Sequence, residues 1–376
     1  MAALFSPFQM RDVTLRNRIA LSPMCEYSSI DGFANDWHVV HLGSRAVGGA
    51  ALVLTEAIAV TAEGRISPQD LGIWKDEHIE VLARIARFCK AQGAAWGTQL
   101  AHAGRKGSTK APWDGNGAVP QSEGGWAPIG PGSEPFNESY PLPVALDDAG
   151  IAAVIEAFSL GAGRTLEAGG TVVELHAAHG YLIHQFLSPL VNRRTDRWGG
   201  SFENRIRLAI EVVHAIRKTW PERLPLIVRV SATDYAVGGW DIDQTVELAK
   251  VLRREGGVDL IDVSSGGALP LSPSAIPVGP LYQVPFAERV RREAGIATGA
   301  VGMITEPAEA EAILADGRAD MVSLARESLR DPYWPLYAAR ALGVQVPWPR
   351  QYTRAEGERA RMQGNIDIAS LSTSRA

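Results

Sequence analysis

Cysteine is nearly missing from this chain of 376 residues: Cys25 and Cys89 are its only two, with no Cys-x-x-Cys spacing and no paired framework. That excludes a disulfide-stapled secreted scaffold and points to a reducing compartment, the cytoplasm. Charge of one sign is not in excess either. Lys plus Arg is 37 against 42 for Asp plus Glu, a formal net charge of −5, so no polyanion-binding surface and no nucleic-acid partner are expected. The chain holds no uninterrupted apolar run of about 18 residues. Its start, "MAALFSPFQMRDV", lacks a basic segment followed by a long apolar core, so neither a membrane span nor a targeting segment is expected.

What the chain does have is alternation. Short β-rich apolar runs ("RIALSPM", "AALVLTEAIAV", "AWGTQLAHAG", "TVVELHAAHG", "LPLIVRVSATD", "DLIDVSSGG", "ATGAVGMI", "DMVSLARESL") are separated by amphipathic helical stretches such as "HIEVLARIARFCKAQG" and "FENRIRLAIEVVHAIRKTW". Near-continuous apolar strands between helices predict a parallel sheet with helices on its far side. About eight such units favour closure into a single (β/α)8 TIM barrel, an α/β fold. An open doubly wound sheet would want G-x-G-x-x-G after the first strand, where "SPMCEYSS" stands instead. The domain reading is one barrel over residues 1–356 and a polar C-terminal tail over 357–376. The stretch from Ala103 to Leu146, rich in Gly, Pro, Ser and Trp, is too long for an ordinary connection and reads as a lid-like loop after the third strand.

In such a barrel the loops after the strands share one face, where active sites lie. The positions just after the strand runs are Cys25 and Tyr27, Glu56 and Ala57, Gln99 and His102, His176, His179 and Tyr181, Arg229, Ser264 and Ser265, Gly302, and Arg326. Neutral hydrogen bonders and Arg predominate there, a set suited to an anion and a planar polar ring rather than to paired acids. A metal site is not expected. His176 and His179 are three residues apart, whereas a zinc-binding H-E-x-x-H helix spaces them by four. His38 and His41 share the three-residue spacing on the first helix, where packing or capping accounts for them.

Two imidazoles and a phenol converging at one strand end can donate hydrogen bonds to a carbonyl oxygen and deliver a proton beside it. "GAVGMI" and "SLARES" follow the seventh and eighth strands, the phosphate-binding quarter of such barrels, with Gly302 allowing close approach and Arg326 clamping oxygens. No strand run ends in the Lys of a Schiff-base aldolase. Gln99 can meet a heterocyclic edge and Arg229 a ring position that gains negative charge on reduction, which is what a flavin needs.

These motifs resemble one family. "AHAGRK", "ELHAAHGYLIHQFLSPLVNRRTDRWGGSFENR", "VRVSATD" and "GMI…GRADMVSLARESLRDP" are similar to the Old Yellow Enzymes, FMN-dependent ene-reductases, and within them to the thermophilic-like branch of bacterial xenobiotic reductases. The resemblance covers nearly all of the chain to about Arg354. It implies FMN as cofactor and NADPH, or NADH, as reductant. It places Pro23, Met24, Ala57 and Gln99 against the isoalloxazine ring, Arg229 at its N1 and O2 edge, and Gly302 and Arg326 at the phosphate. It sets Cys25 near the ring's O4 and N5 as a tuner of its potential and Lys106 at the mouth. Tyr27 would contact substrate, His176 and His179 would hold a carbonyl oxygen, and Tyr181 would donate the proton.

Trp198, where Tyr is common in the family, is expected on the outer part of a loop without consequence. The "QYTR" ending makes Arg354 a candidate contact in a neighbouring subunit's pocket, so a homodimer or homotetramer is expected. The implied reaction reduces the C=C bond of α,β-unsaturated carbonyls or related activated alkenes. The alternative is a non-redox phosphate-binding barrel, an isomerase or lyase.

Overall fold

The computed structural model describes residues 2–356 apart from 116 and 256. Eight parallel strands close into a barrel in chain order: β1 (Ile19–Leu21), β2 (Leu52–Ala59), β3 (Ala95–Ala101), β4 (Val172–Ala177), β5 (Leu226–Ser231), β6 (Leu260–Ser264), β7 (Ala297–Ala300) and β8 (Met321–Leu324). Every residue of β2, β4, β5 and β6 is buried, as expected of strands covered on both faces. Parallel pairing runs unbroken around the ring, for example His176 opposite Arg229 and Arg229 opposite Asp262. The expected (β/α)8 barrel is the fold.

The helices outside it are capped by their own sequence. In α1 (Asp36–Val47), Asn35 and His38 form a reciprocal capping box; α3 (Asp148–Glu167) starts at Asp147 and α5 (Phe202–Thr219) at Ser201, whose side chains accept the orphan N–H groups of Gly150 and Asn204. The other helices that wrap the barrel are α2 (His78–Ala91), α6 (Ile242–Glu255), α7 (Val284–Ala294) and α8 (Pro307–Ala315). By length and a mean hydropathy of 1.2, α3 could cross a membrane. It buries Ile151, Val154, Phe158 and Ala162 against β3 and α5, which is the role of a barrel helix.

A hairpin of Phe8–Met10 and Val13–Leu15 closes the N-terminal end of the barrel. Met10 and Leu15 sit there on Ala20, Leu52, Leu54, Val172, Ile227, Leu260 and Met321. Side chains alternate along a strand, so the same inward face two residues further on carries Ser22, Glu174, Arg229, Asp262 and Ser323. The barrel interior therefore changes from apolar to charged within a single tier. Between Leu54 and Ala57, β2 slips its register against β3, a bulge that brings Ala57 opposite Gln99.

From Ala103 to Leu146 the described chain forms three 3-10 turns (Gly104–Lys106, Pro112–Asp114, Gln121–Glu123) and a two-residue parallel pairing of Ile129–Gly130 with Val144–Ala145. Trp198 departs from expectation: it is fully buried, and its indole Nε1–H donates to Asp148 Oδ1 at 2.5 Å, tying its loop to the start of α3. The described residues from Val346 to Glu356 belong to a separate unit containing the short 3-10 helix Arg350–Ala355, on which Arg354 is exposed. The expected tail, 357–376, lies outside the described residues.

Candidate active site

At the C-terminal end of the barrel, β3 to β6 present a buried polar tier. Gln99 Nε2 donates to Glu174 Oε1 at 2.6 Å, and Arg229 Nη1 donates to Ser22 Oγ at 3.0 Å while its Nε stands 3.3 Å from Asp262 Oδ2. The last pair is close enough for an ion pair but misaligned for a hydrogen bond, so Arg229 Nε and both Asp262 oxygens lack a hydrogen-bond partner among the described residues. Burial, then the neighbouring Asp262, pushes the Glu174 carboxyl up to about 8. The strand-end reading found Gln99 and Arg229 but missed Glu174 and Asp262, which lie inside runs that read as apolar β-strand. An acidic residue in a buried parallel strand was itself the available signal.

Above this tier stands the turn after β4. His176 packs edge-to-face with His179, ring centroids 5.0 Å apart, and with Tyr181 at 4.9 Å, so the sequence-predicted trio does converge. His176 Nδ1 accepts the Ala178 N–H at 3.2 Å, which leaves its ring proton on Nε2. His179 Nε2 is instead engaged by Ser264 Oγ at 2.7 Å. Burial, followed by Arg229, holds both imidazoles well below their ordinary pKa, so both are neutral. Burial likewise pushes the Tyr181 phenol well up, keeping its proton.

The turn is held by residues that sequence reasoning passed over. His179 takes the left-handed φ of 58°, and a side chain at Gly180 would strike the Gly267 carbonyl. His184 Nδ1 accepts the Gly180 N–H at 2.9 Å, and its Nε2 lies 3.0 Å from the buried Asp234. Gln185 donates to the Ala103 and Gly180 carbonyls and accepts from the Arg105 N–H. Both belong to α4 (Leu182–Leu187), a helix buried at every residue. Lys106 extends its Nζ to the His179 carbonyl at 2.9 Å and lies 5.1 Å from the Tyr181 ring centroid; burial, then Arg105, lowers its pKa to about 8.

The loop after β1 carries Pro23, Met24, Cys25 and Tyr27, with Tyr27 at a strained φ of 46°. The Glu26 N–H in that loop donates to Glu56 Oε2 at 3.0 Å, Glu56 Oε1 lies 3.1 Å from His38 Nε2, and Trp37 Nε1 donates to Glu26 Oε2 at 2.8 Å. His38 thus caps α1, as sequence reasoning allowed, and also braces the loop. Burial, then Asp70 and Glu56, pushes the Cys25 thiol well above its usual range, so it is present as S–H rather than thiolate.

Beyond β7 and β8, Gly302, Met303, Ser323, Ala325, Arg326, Tyr282 and Gln283 line a cavity of about 200 Å³. Gly302 has φ +125°, and a Cβ there would press on Gln283. These features fit FMN. A guanidinium and a close-approach glycine stand where a phosphate can sit, and an amide and a second guanidinium with an orphaned N–H stand where a heterocycle can.

Comparison with known proteins agrees. A model of the NADH:flavin oxidoreductase / NADH oxidase family matches residues 3–344. The NADPH dehydrogenase of Geobacillus sp. (strain WCH70) is 50% identical over 353 residues, 93% of this chain and 98% of that protein. That of Listeria monocytogenes serotype 4a (strain HCC23) is 47% identical over 357 residues, covering 94% and 99%. Among solved structures, morphinone reductase superposes with a TM-score of 0.74 at 26% identity, covering 93% of this chain and 92% of that one. A 2-naphthoyl-CoA reductase complex superposes with a TM-score of 0.81 at 26% identity; this chain spans 91% of itself but about half, 52%, of that longer chain. On fold, site and kinship together, the chain belongs to the NADH:flavin oxidoreductase / NADH oxidase family, in its Old Yellow Enzyme group, and is an FMN-dependent NAD(P)H oxidoreductase.

Proposed function

We propose that this enzyme reduces the C=C bond of α,β-unsaturated carbonyls and related activated alkenes. FMN, when bound, supplies the hydride chemistry, accepting from NADPH and giving to the β-carbon. The His176–His179–Tyr181 cluster is the observation that carries the reading: three neutral groups meeting at one strand end, above the tier of Gln99 and Arg229. Neutral imidazoles donate hydrogen bonds without surrendering a full proton, which suits an oxygen that gains charge only in the transition state. Tyr181, kept protonated by burial, supplies the proton to the α-carbon. Lys106, fastened to the His179 carbonyl, steadies that turn and sets a cation against the Tyr181 ring.

On this reading Pro23, Met24, Cys25, Ala57, Gln99 and Arg229 receive the ring, Gly302 and Arg326 the phosphate, and Tyr27 the substrate. The Cys25 S–H is a weak donor that tunes the ring rather than a nucleophile. The enzyme works in the cytoplasm as a homo-oligomer, with Arg354 reaching a second copy.

The deciding experiment is the visible spectrum of purified protein, taken anaerobically before and after NADPH and then after cyclohexenone. The expected result is a yellow protein that bleaches with NADPH and recolours with the enone. Bleaching without recolouring would sink the ene-reductase assignment. In the same assay His176→Ala should slow recolouring about a hundredfold, or about 3 kcal/mol, with FMN retained.

A further inference from the structure

We propose that Glu174 and Asp262 form a proton-holding carboxyl pair beneath the flavin ring, and that in alkaline solution, where the pair has given up its proton, reduction of the ring draws that proton back from solvent. The inference rests on the ring lying against Gln99 and Arg229.

The geometry starts from a charge mismatch. Glu174 on β4 and Asp262 on β6 are fully buried, and among the described residues the one cation facing them is Arg229 on β5. The other inward neighbours are uncharged: Gln99 on β3, Ser22 on β1, Ser323 on β8, Gly299 of β7 against Asp262, and the neutral His176 on the same strand as Glu174. One guanidinium can balance one carboxylate. A second ionised carboxylate in that buried interior would stand uncompensated, which is costly enough that the pair holds a proton instead.

The hydrogen bonding places that proton. Asp262 takes the ion-pair position, 3.3 Å from Arg229 Nε. Glu174 accepts only from Gln99, and its Oε2 is buried with no hydrogen-bond partner among the described residues, as a carboxylic acid tolerates better than a carboxylate does. Burial and the neighbouring Asp262 raise the Glu174 carboxyl, with Arg229 and Gln99 opposing, to about 8. The two groups titrate as one coupled pair.

The Gln99 amide spends an N–H on Glu174, which turns its carbonyl oxygen and its second N–H elsewhere. Glu174 is thus a positioning residue for Gln99 as well as a proton store. Reduction by NADPH adds a hydride, two electrons and one proton, and leaves one extra negative charge on the ring's edge beside Arg229. That charge draws on the same guanidinium and raises the proton affinity of Glu174. Above its own pKa the balanced step is then NADPH plus FMN plus the Glu174 carboxylate plus one solvent proton, giving NADP+ plus the anionic reduced ring plus the Glu174 carboxylic acid.

The test is the reduction potential of the FMN-loaded enzyme from pH 6 to 10, read by dye equilibration. Wild type should take up one proton per two electrons below about pH 8 and two above it, whereas Glu174→Gln should take up one throughout. A wild-type profile without the break, or the same break in Glu174→Gln, would overturn the proposal. Should that variant not fold, the reduced-minus-oxidised infrared spectrum of wild type at pH 9 decides: a gained carboxylic-acid C=O band supports the pair and its absence ends it. If Gln99→Ala and Arg229→Lys retain FMN with an unchanged visible spectrum, the ring's placement is what fails, a result distinguishable from either outcome for the pair.

Discussion

The two ends of this barrel are built on the same strands two residues apart, yet they obey opposite rules. At the N-terminal end Val172, Ile227, Leu260 and Met321 interdigitate under the hairpin residues Met10 and Leu15. One inward step along each strand, those positions become Glu174, Arg229, Asp262 and Ser323. The apolar end buys stability by removing surface from water. The polar end gives some of it back, holding in the buried interior two carboxyls and a guanidinium with atoms that have no partner among the described residues. Fold and function are therefore separated along the barrel axis, as in other proteins of this architecture.

The comparison can be broken from either side. Arg229→Met removes the cation that faces Glu174 and Asp262, and should cost about 3–5 kcal/mol in denaturant unfolding together with most of the bound FMN; a variant that is yellow and fully stable would show that the tier is not charge-balanced as described. At the other end, Leu260→Ala should cost about 2–5 kcal/mol in the same unfolding measurement while leaving flavin spectrum and turnover unchanged. Loss of turnover there would mean that the two ends are coupled.

Acid sharpens the contrast. The pKa values of His176 and His179 lie far below the usual value in the folded state, so below about 6.5 the unfolded chain binds protons that the folded one refuses. Stability should fall as pH falls through that value, by up to about 1.4 kcal/mol per pH unit for each such histidine. Replacing His176 with Gln should reduce the slope of stability against pH, and an unchanged slope would contradict the burial argument. The smallest effect is expected at the periphery. Trp198→Phe removes the indole donor to Asp148 and should lower stability by about 1 kcal/mol with kcat intact.

Much of the site was legible because barrels gather strand ends on one face. His176 stands near the end of β4 and His179 and Tyr181 follow it, and their spacing was enough to place them together. Glu174 and Asp262 were passed over although they lie within their strands on the same inward tier as Gln99 and Arg229: a carboxylate inside an apolar run is a local signal, but the partners that give it meaning come only with barrel closure. His184 and Gln185 were missed for a different reason: they look like helix-face residues until the turn they brace, through the Gly180 N–H and carbonyl, is seen. Trp198 was misjudged since nothing local shows that a loop folds back onto α3.

By itself the sequence determined the near-continuous apolar runs, their number, the helix caps and the chemical types standing at each strand end, because these are set by neighbours a few residues away. Only the tertiary structure decided which buried groups share one charge balance, which imidazole nitrogen is engaged, and which distant loop each carboxyl braces. Those depend on contacts between elements tens of positions apart, such as Glu26 with Glu56, 30 apart, and Gln99 with Glu174, 75 apart, and no local pattern encodes a register that barrel closure alone imposes.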